Sequence, residues 1–547
     1  MFVREKTVNG YTYLYLVESV RENGRTKQRI IRNLGRKEAV LASGALDRLI
    51  ASLGRFAERS LVLRAIEEGD GRFEVRRIGA PLLFGRLWEE SGCRAVVSEL
   101  VAGRGFGFEV ERAVFVAVLH RLMVSGSDRS CVHWMADYAI PGAEELALHR
   151  FYRAMAWLGE EVEPAAEGDL APRCVKDLIE EALFERRRDL FSELGLVFVD
   201  TTSLSFEGAG GETLGAHGYS KDHRPDLKQM ILAVVIDGEG RPVCTEMLAG
   251  NTADSTVLLP VVDRLRSRFA IGRVCVVADR GMISAATIAA LEERGLEYIL
   301  GTRERGDVRV RRIVLENEKP FVPLLLERAR GETQLFVKEV TAGGVRYIVC
   351  RNEAEAEKDR ADRLAIVDGL QRRLKQGEKA LIANAGYRRY LRRSGTGAAF
   401  EIDAGKLAEE ARYDGIFVLR TNARISPLNA VLRYRELLMV ESLFRAAKAT
   451  FDTRPIFHSC DGAIRGHVFC SFLALILAKE LQERCARAGF QPEWERLVRD
   501  LDRLQSGVIE KDNKRITIRT PVRGDVGPTF RAAGVALPPN IAETPTT

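Results

Sequence analysis

At Leu196 the pattern of apolar and polar positions changes from helical to strand-like. Leu196, Val197, Phe198 and Val199 form an unbroken apolar run into Asp200, which predicts a strand buried on both faces. The runs at 229–237 (QMILAVVID), 241–248 and 273–279 (RVCVVAD) predict three more strands. ISAATIAALEER at 283–294 predicts a helix, and 297–301 a short strand. Three strands in succession, expected to form a meander, then a strand–helix–strand step, predict a mixed α/β sheet with helices on its faces.

The texture differs on either side of this core. Residues 1–40 read YTYLYLVESV, then a turn-like ENGR, then KQRIIRNLG, which predicts a small basic hairpin. From about 41 to 190 the spacing is mostly helical, with breaks at Gly79–Pro81, Gly103–Gly107 and Pro141–Gly142. GRGFGF at 103–108 follows no strand and lacks the Gly-Lys-Ser/Thr of a phosphate loop, so it reads as a plain loop. Residues 302–412 carry strand-like TQLFVKEV and VRYIVC, a highly charged helix at about 353–378, and a basic turn, GYRRYLRRSG, at 386–395. They are expected to form an inserted subdomain. Helix resumes at 429–449 and 461–485, and beyond about 520 Pro, Gly and Thr predict a loose end. No internal repeat is seen.

Composition narrows the class. The 547 residues allow several domains, and the formal net charge is +6. Basic residues cluster at the start: residues 1–40 hold nine Lys/Arg against four Glu. That excess fits a polyanion partner and equally a solvated surface. The nine cysteines include no Cys-x-x-Cys pair, and the seven histidines no His-Glu-x-x-His, so neither a zinc knuckle nor a disulfide framework is indicated. The N-terminus lacks a secretory pattern, and apolar runs such as Phe469–Ala478 are too short to span a bilayer. A reducing cytoplasm is the expected compartment.

Candidate chemistry lies in three carboxylates. Asp200 and Asp279 each end an apolar strand. On parallel neighbours both would emerge at one carboxyl edge, where open α/β sheets build sites. Close like charges raise each other's pKa, and a hard divalent cation would resolve the conflict. Strand-ending Asp residues also cap helices and turns, so spacing alone leaves both readings open. Residues 433–450 read RYRELLMVESLFRAAKAT, where Tyr434, Glu441 and Lys448 lie seven apart on one helical face. Leu437 and Phe444 share that stripe, and Val440, Leu443 and Ala447 widen it. Glu441 is therefore expected to point inward, and Glu436 to be solvated. A Glu at the stripe's edge is the competing reading.

The set VDTTSLSFEG, GYSKDHRPDLKQMILAVVID, LAGNTADSTVL, VVADRGMIS and DGIFVLRTN resembles the DDE transposases of bacterial insertion sequences. It is similar to the branch with a Tyr–Arg–Glu–Lys signature on its last catalytic helix. RPIFH at 454–458, RGH at 465–467 and, less specifically, RIIRNLG near the start resemble that branch as well. One position departs from it: where the signature has Arg, this chain has Leu437, leaving Arg435, Arg445 or another loop to supply the charge.

The resemblance implies a ribonuclease-H-like core, with a mostly β insertion before the last catalytic helix and a largely helical N-terminal region. It implies that Asp200, Asp279 and Glu441 are catalytic and hold two Mg²⁺ or Mn²⁺ ions, with Asp200 bridging. Tyr434, Lys448, Arg445, Lys228 and Arg280 become candidate DNA contacts. The chain would divide into a basic DNA-contacting segment (1–75), a helical end-binding domain (76–190), a split core (191–301 and 413–485), the insertion (302–412), and a C-terminal region for dimerisation or a loose tail (486–547). Implied function is cut-and-paste transposition: hydrolysis at the element ends, then attack of the freed 3′-hydroxyl on target DNA. The implied partners are terminal inverted repeats, target DNA and a second copy. A nuclease without strand transfer, and a DNA-binding protein without catalysis, are the alternatives. His217 and His223 read as loop or DNA-facing residues. Arg224 and Lys228 could meet phosphate or pair with Asp222 and Asp226. Arg388, Arg389, Arg392 and Arg393, with Tyr387 and Tyr390, read either as a backbone-and-stacking contact or as an exposed loop.

Overall fold

The computed structural model describes residues 2–22, 25–44, 46, 73–165, 170–187, 195–221, 224–271, 274–302, 308, 310–311, 316–326, 333–374, 390–393, 400–445, 456–511 and 514–545. The chain divides into two compact units. One comprises Met1–Arg76, Gln505–Pro521 and Pro538–Thr547; the other comprises Arg77–Leu504 and Val522–Leu537.

In the first unit, strands Phe2–Val8, Tyr11–Glu22 and Arg25–Arg36 form an antiparallel meander. The expected hairpin thus gains a strand. Asn9 and Gly10 make the first turn with φ of 51° and 81°, the positive values that a two-residue hairpin loop requires. Leu14 and Val17 are buried, whereas Arg4, Lys6, Lys27, Arg29 and Arg32 are exposed. A second, four-stranded sheet runs in the order Ile541–Pro545, Lys514–Arg519, Gln505–Lys511, Phe73–Arg77. Its edge strand Ile541–Pro545 lies where the sequence suggested a loose end.

The second unit is built on a nine-stranded sheet. Strands Leu196–Ser205, Gln229–Asp237 and Pro242–Ala249 form the antiparallel meander that the apolar runs predicted. Cys275–Ala278 pairs in parallel with both Leu196–Ser205 and Glu297–Gly301. Beyond Glu297–Gly301 the sheet continues antiparallel through Ile416–Thr421, Val345–Asn352, Thr333–Ala342 and Val322–Leu326. The strand-like pieces of 302–412 therefore extend the main sheet. The helix Glu353–Leu374 and the hairpin 391–402 pack apart from it around Leu370, Tyr390 and Leu391. Tyr390 is buried there and so does not offer the stacking contact considered for this turn, while Arg392 is exposed and pairs with Glu401. Tyr387, Arg388 and Arg389 lie outside the described residues, as does the side chain of Arg393.

An unpredicted helix, Asp254–Phe269, covers the sheet with Val257, Leu258, Val261, Val262 and Leu265. The other face carries the long helix Asp461–Arg487, packed against Val110–Met123 and Leu148–Leu158. It has 27 residues, and an 18-residue window of mean hydropathy 1.4 has the length and composition of a membrane span, yet 89% of that window is buried inside the protein. Its apolarity serves the core, where each fully buried Leu or Phe contributes roughly 1.5–3 kcal/mol. Gly466, of the RGH motif, lets helices Asp461–Arg487 and Leu148–Leu158 touch: a Cβ there would overlap the Met155 carbonyl. One hydrophobic cluster runs from these helices into the sheet.

Candidate active site

The site forms where the parallel pairing of two strands stops: Cys275–Ala278 ends before Asp279, whereas Leu196–Ser205, expected to end at Asp200, runs five residues past it along Gln229–Asp237. On Leu196–Ser205 the residues Val197, Phe198 and Val199 are buried and Asp200 is half-buried. Val199 lies opposite Ala278, so Asp200 and Asp279 are the next residue on each chain. Neighbouring strands are about 4.8 Å apart, and the two carboxylates leave the sheet at one edge. Asp200 Oδ1 accepts the Thr201 amide at 2.7 Å. Asp279 ends its strand and begins the short turn Arg280–Met282.

The helix Pro427–Arg445 packs across strands Leu196–Ser205, Cys275–Ala278 and Glu297–Gly301. From it the Tyr434 hydroxyl donates to Asp279 Oδ1 at 3.0 Å. The Tyr434 ring stacks on Phe417 at 6.3 Å, and it fits only because residue 301 is glycine: a Cβ there would overlap the Tyr434 hydroxyl. Glu441 lies seven residues further along the same helix; its side chain, like that of Arg445, is outside the described residues, and so is all of Lys448.

A cavity of about 480 Å³ opens beside Asp279, lined also by Arg280, Asp359, Tyr434, Arg435 and Leu437. Leu437 is buried in the hydrophobic core. Arg435 has a buried Nη1 with no hydrogen-bond partner among the described residues. The arginine two residues before Leu437 thus lines this cavity together with Arg280. Glu436, expected to be solvated, is half-buried, and burial pushes its carboxyl up.

A second polar group sits behind Asp200. Lys221 donates to the Thr201 carbonyl at 2.6 Å and to its hydroxyl at 2.7 Å, and lies 3.1 Å from Asp254 Oδ2. The Thr201 hydroxyl in turn donates to Asp254 Oδ1 at 2.8 Å. Sequence reasoning assigned neither Lys221 nor Asp254, although both lie within the motif strings. The apolar spacing that begins at Val257 was the signal for the helix that Asp254 starts.

Other candidates lie elsewhere. Lys228 adjoins Gln229, the partner of Ser205, five residues beyond Asp200 and so about 16 Å along the strand. Its ammonium donates to the Ala209 carbonyl at 3.2 Å. Arg224 pairs with Asp226 at 2.8 Å, and His217 is exposed. Asp222 and His223 lie outside the described residues.

The transposase DDE domain family matches residues 192–477, more than half of the chain. The chain belongs to the DDE transposases of insertion sequences. A second family, the IS1634 family transposase N-terminal domain, matches residues 3–68 of the transposase. No curated protein sequence matches it. Among solved structures, the cryo-EM structure of a piggyBac transposase synaptic complex with hairpin DNA aligns with 11% identity and a TM-score of 0.35, over 78% of this chain and 80% of that chain.

The donor chemistry suits the divalent metals that DDE domains use. Two carboxylates share one edge, and Asp279 takes a neutral hydroxyl rather than a cation among the described residues. Hard oxygen donors of this kind fit Mg²⁺ or Mn²⁺.

Proposed function

We propose that the transposase moves its element by cut-and-paste, through a ribonuclease-H-like core in which Asp200, Asp279 and Glu441 hold two Mg²⁺ or Mn²⁺ ions. The supporting observation is the parallel register of Val199 and Ala278, which brings Asp200 and Asp279 to one edge beneath the helix that carries Glu441. Bound there, the ions would supply Lewis-acid polarisation of the scissile phosphate and activation of the attacking oxygen.

The chain's own groups do the rest. Tyr434 fixes the orientation of the Asp279 carboxylate through its hydroxyl. Arg435 and Arg280, in the same cavity, neutralise the phosphate that enters it. Arg435 takes the role of the signature arginine absent at Leu437. Lys448 and Arg445 contact the strand further along the helix, and Lys228 a more distant phosphate. Water attacks at the element end and leaves a 3′-hydroxyl; that hydroxyl then attacks a target phosphodiester. The same carboxylates serve both displacements because only the nucleophile changes.

The exposed basic meander at the N-terminus contacts DNA backbone, and the helices within 76–190 bind the element ends. Two copies bridge the two inverted repeats. Incubating the protein and Mg²⁺ with DNA that carries its element's ends tests the reading. Wild type cleaves and joins, and Glu441→Gln binds without cleaving. An Asp200→Asn variant that still cleaves would overturn the assignment; cleavage without joining would reduce it to a nuclease.

A further inference from the structure

The histidines of RPIFH and RGH have no role in the chemistry at the strand ends. His458 and His467 instead meet Asp128, at the start of the helix Asp128–Met135. One ligand atom from each of the three residues lies within 4.8 Å of the others. His458 Nε2 is 3.3 Å from Asp128 Oδ2, and His467 Nδ1 is 3.8 Å from Asp128 Oδ1. Asp128 is 3% exposed, and among the described residues neither of its carboxylate oxygens meets a well-aligned hydrogen-bond donor, with the His458 ring nitrogen at 3.3 Å and the Arg121 guanidinium at 3.9 Å as polar neighbours. Leaving such oxygens unsatisfied is costly, and a bound cation removes that cost. A cavity of about 380 Å³ opens onto the group, lined also by Ser127, Tyr152 and Cys460.

We propose that Asp128, His458 and His467 form a second metal site, of Zn²⁺ type, separate from the strand-end carboxylates. Two imidazole nitrogens and one carboxylate oxygen, with a fourth position open to a cavity, are a donor set that zinc accepts and that Mg²⁺ does not favour. The buried Arg121 donates to His467 Nδ1 at 2.8 Å and to the Gly126 carbonyl at 2.5 Å, and lies 3.9 Å from Asp128 Oδ1. Loading the site makes Arg121 release the imidazole nitrogen and turn toward the carboxylate, where it acts as an outer partner. The ion would fasten three segments. These are the start of helix Asp128–Met135, helix Asp461–Arg487 and the loop at 456–458, whose Ile456 bridges to Phe206 at the end of the first core strand.

The full chain, carrying no histidine tag and stripped with a chelator, is titrated with Co²⁺ and then with competing Zn²⁺. The expected result is one Co²⁺ per chain giving a visible band of low-symmetry, four-coordinate character, distinct from any six-coordinate Co²⁺ on the strand-end carboxylates, and displaced by Zn²⁺. His458→Ala, at the rim of the cavity, should weaken uptake by at least the roughly tenfold to hundredfold that loss of even an outer partner costs. Asp279→Asn should keep the band, which separates this site from the strand ends. Zn²⁺ should also raise the wild-type melting temperature, a readout that needs no variant. No uptake by folded wild type, no thermal shift, uptake unchanged in His458→Ala, or uptake lost in Asp279→Asn would each overturn the proposal.

Discussion

Strands Leu196–Ser205 and Pro242–Ala249 lie two apart in one sheet, yet the carboxylates they carry or adjoin keep different company. Beside the second strand, Asp177, Glu180 and Glu246 are buried with Lys176, Arg264 and Arg268, joined by ion pairs of 2.6–3.7 Å. Burial opposes ionisation of Asp177, but the Lys176 ammonium and the Arg268 guanidinium hold its carboxyl down at about 2. Glu246, fully buried, is pushed up by that burial. Beside the first strand, at the end of its parallel neighbour Cys275–Ala278, Asp279 receives a tyrosine hydroxyl and faces a cavity. The same residue type thus serves two ends. Acids matched one for one with bases clamp helix Val175–Arg187 to the sheet. Acids matched by neutral donors leave charge for a cation that arrives later.

The largest contrast comes from removing one acid of each kind. Asp279→Asn should cut end cleavage at least about a thousandfold, since it removes a ligand whose effect on the barrier is several kcal/mol, while binding to the ends survives. Urea melts of the same variant should stay near wild type. Asp177→Ala should do the reverse. It removes the partner that Lys176 meets at 2.6 Å and one that Arg268 meets at 3.2 Å, leaves an excess of buried positive charge, and should lower stability by about 3–5 kcal/mol in those melts.

Gly301→Ala sharpens the contrast, because it touches no charge. The added methyl displaces the Tyr434 hydroxyl from Asp279, and cleavage should fall about tenfold to a hundredfold, as misplacing a positioned group does. Adding Tyr434→Phe to that variant should recover part of the loss by making room; no recovery would mean that the strand end itself has moved.

Acid should weaken the protein at the buried clusters first. His467 has its folded value lowered to about 4 from 6.5, so between these pH values the unfolded chain binds a proton that the folded chain does not. Stability therefore falls as pH drops through that window. Asp177, lowered from 3.8 to about 2, adds a second loss further down. Melting temperature against pH, with a chelator present, reads both, and a profile flat from 6.5 to 4 would contradict the buried neutral histidine.

The smallest effect is expected at Arg435. Arg435→Ala should weaken end binding only severalfold and reduce its salt dependence by about one counterion, with Leu437→Arg giving no gain because that side chain points into the core.

The sequence by itself determined the strands, since apolar runs closed by a carboxylate are local patterns. It also determined the face shared by Tyr434 and Glu441, because helical spacing is local too. It missed the helix after Asp254, where Pro260 and charged positions interrupt the apolar spacing, and it read the stretch beyond about 520 as loose although Ile541–Pro545 is a strand, because an edge strand needs only a partner, not a long apolar run. Only the tertiary structure decided which acids would be neutralised. Asp177 and Asp279 look alike in the sequence, but one is packed among bases more than eighty residues away, Arg264 and Arg268, and the other receives a tyrosine hydroxyl. The same holds for His458 and His467, which meet Asp128 from more than three hundred residues away. Charge compensation acts through space over a few ångströms, and no pattern along the chain encodes which distant side chain will stand there.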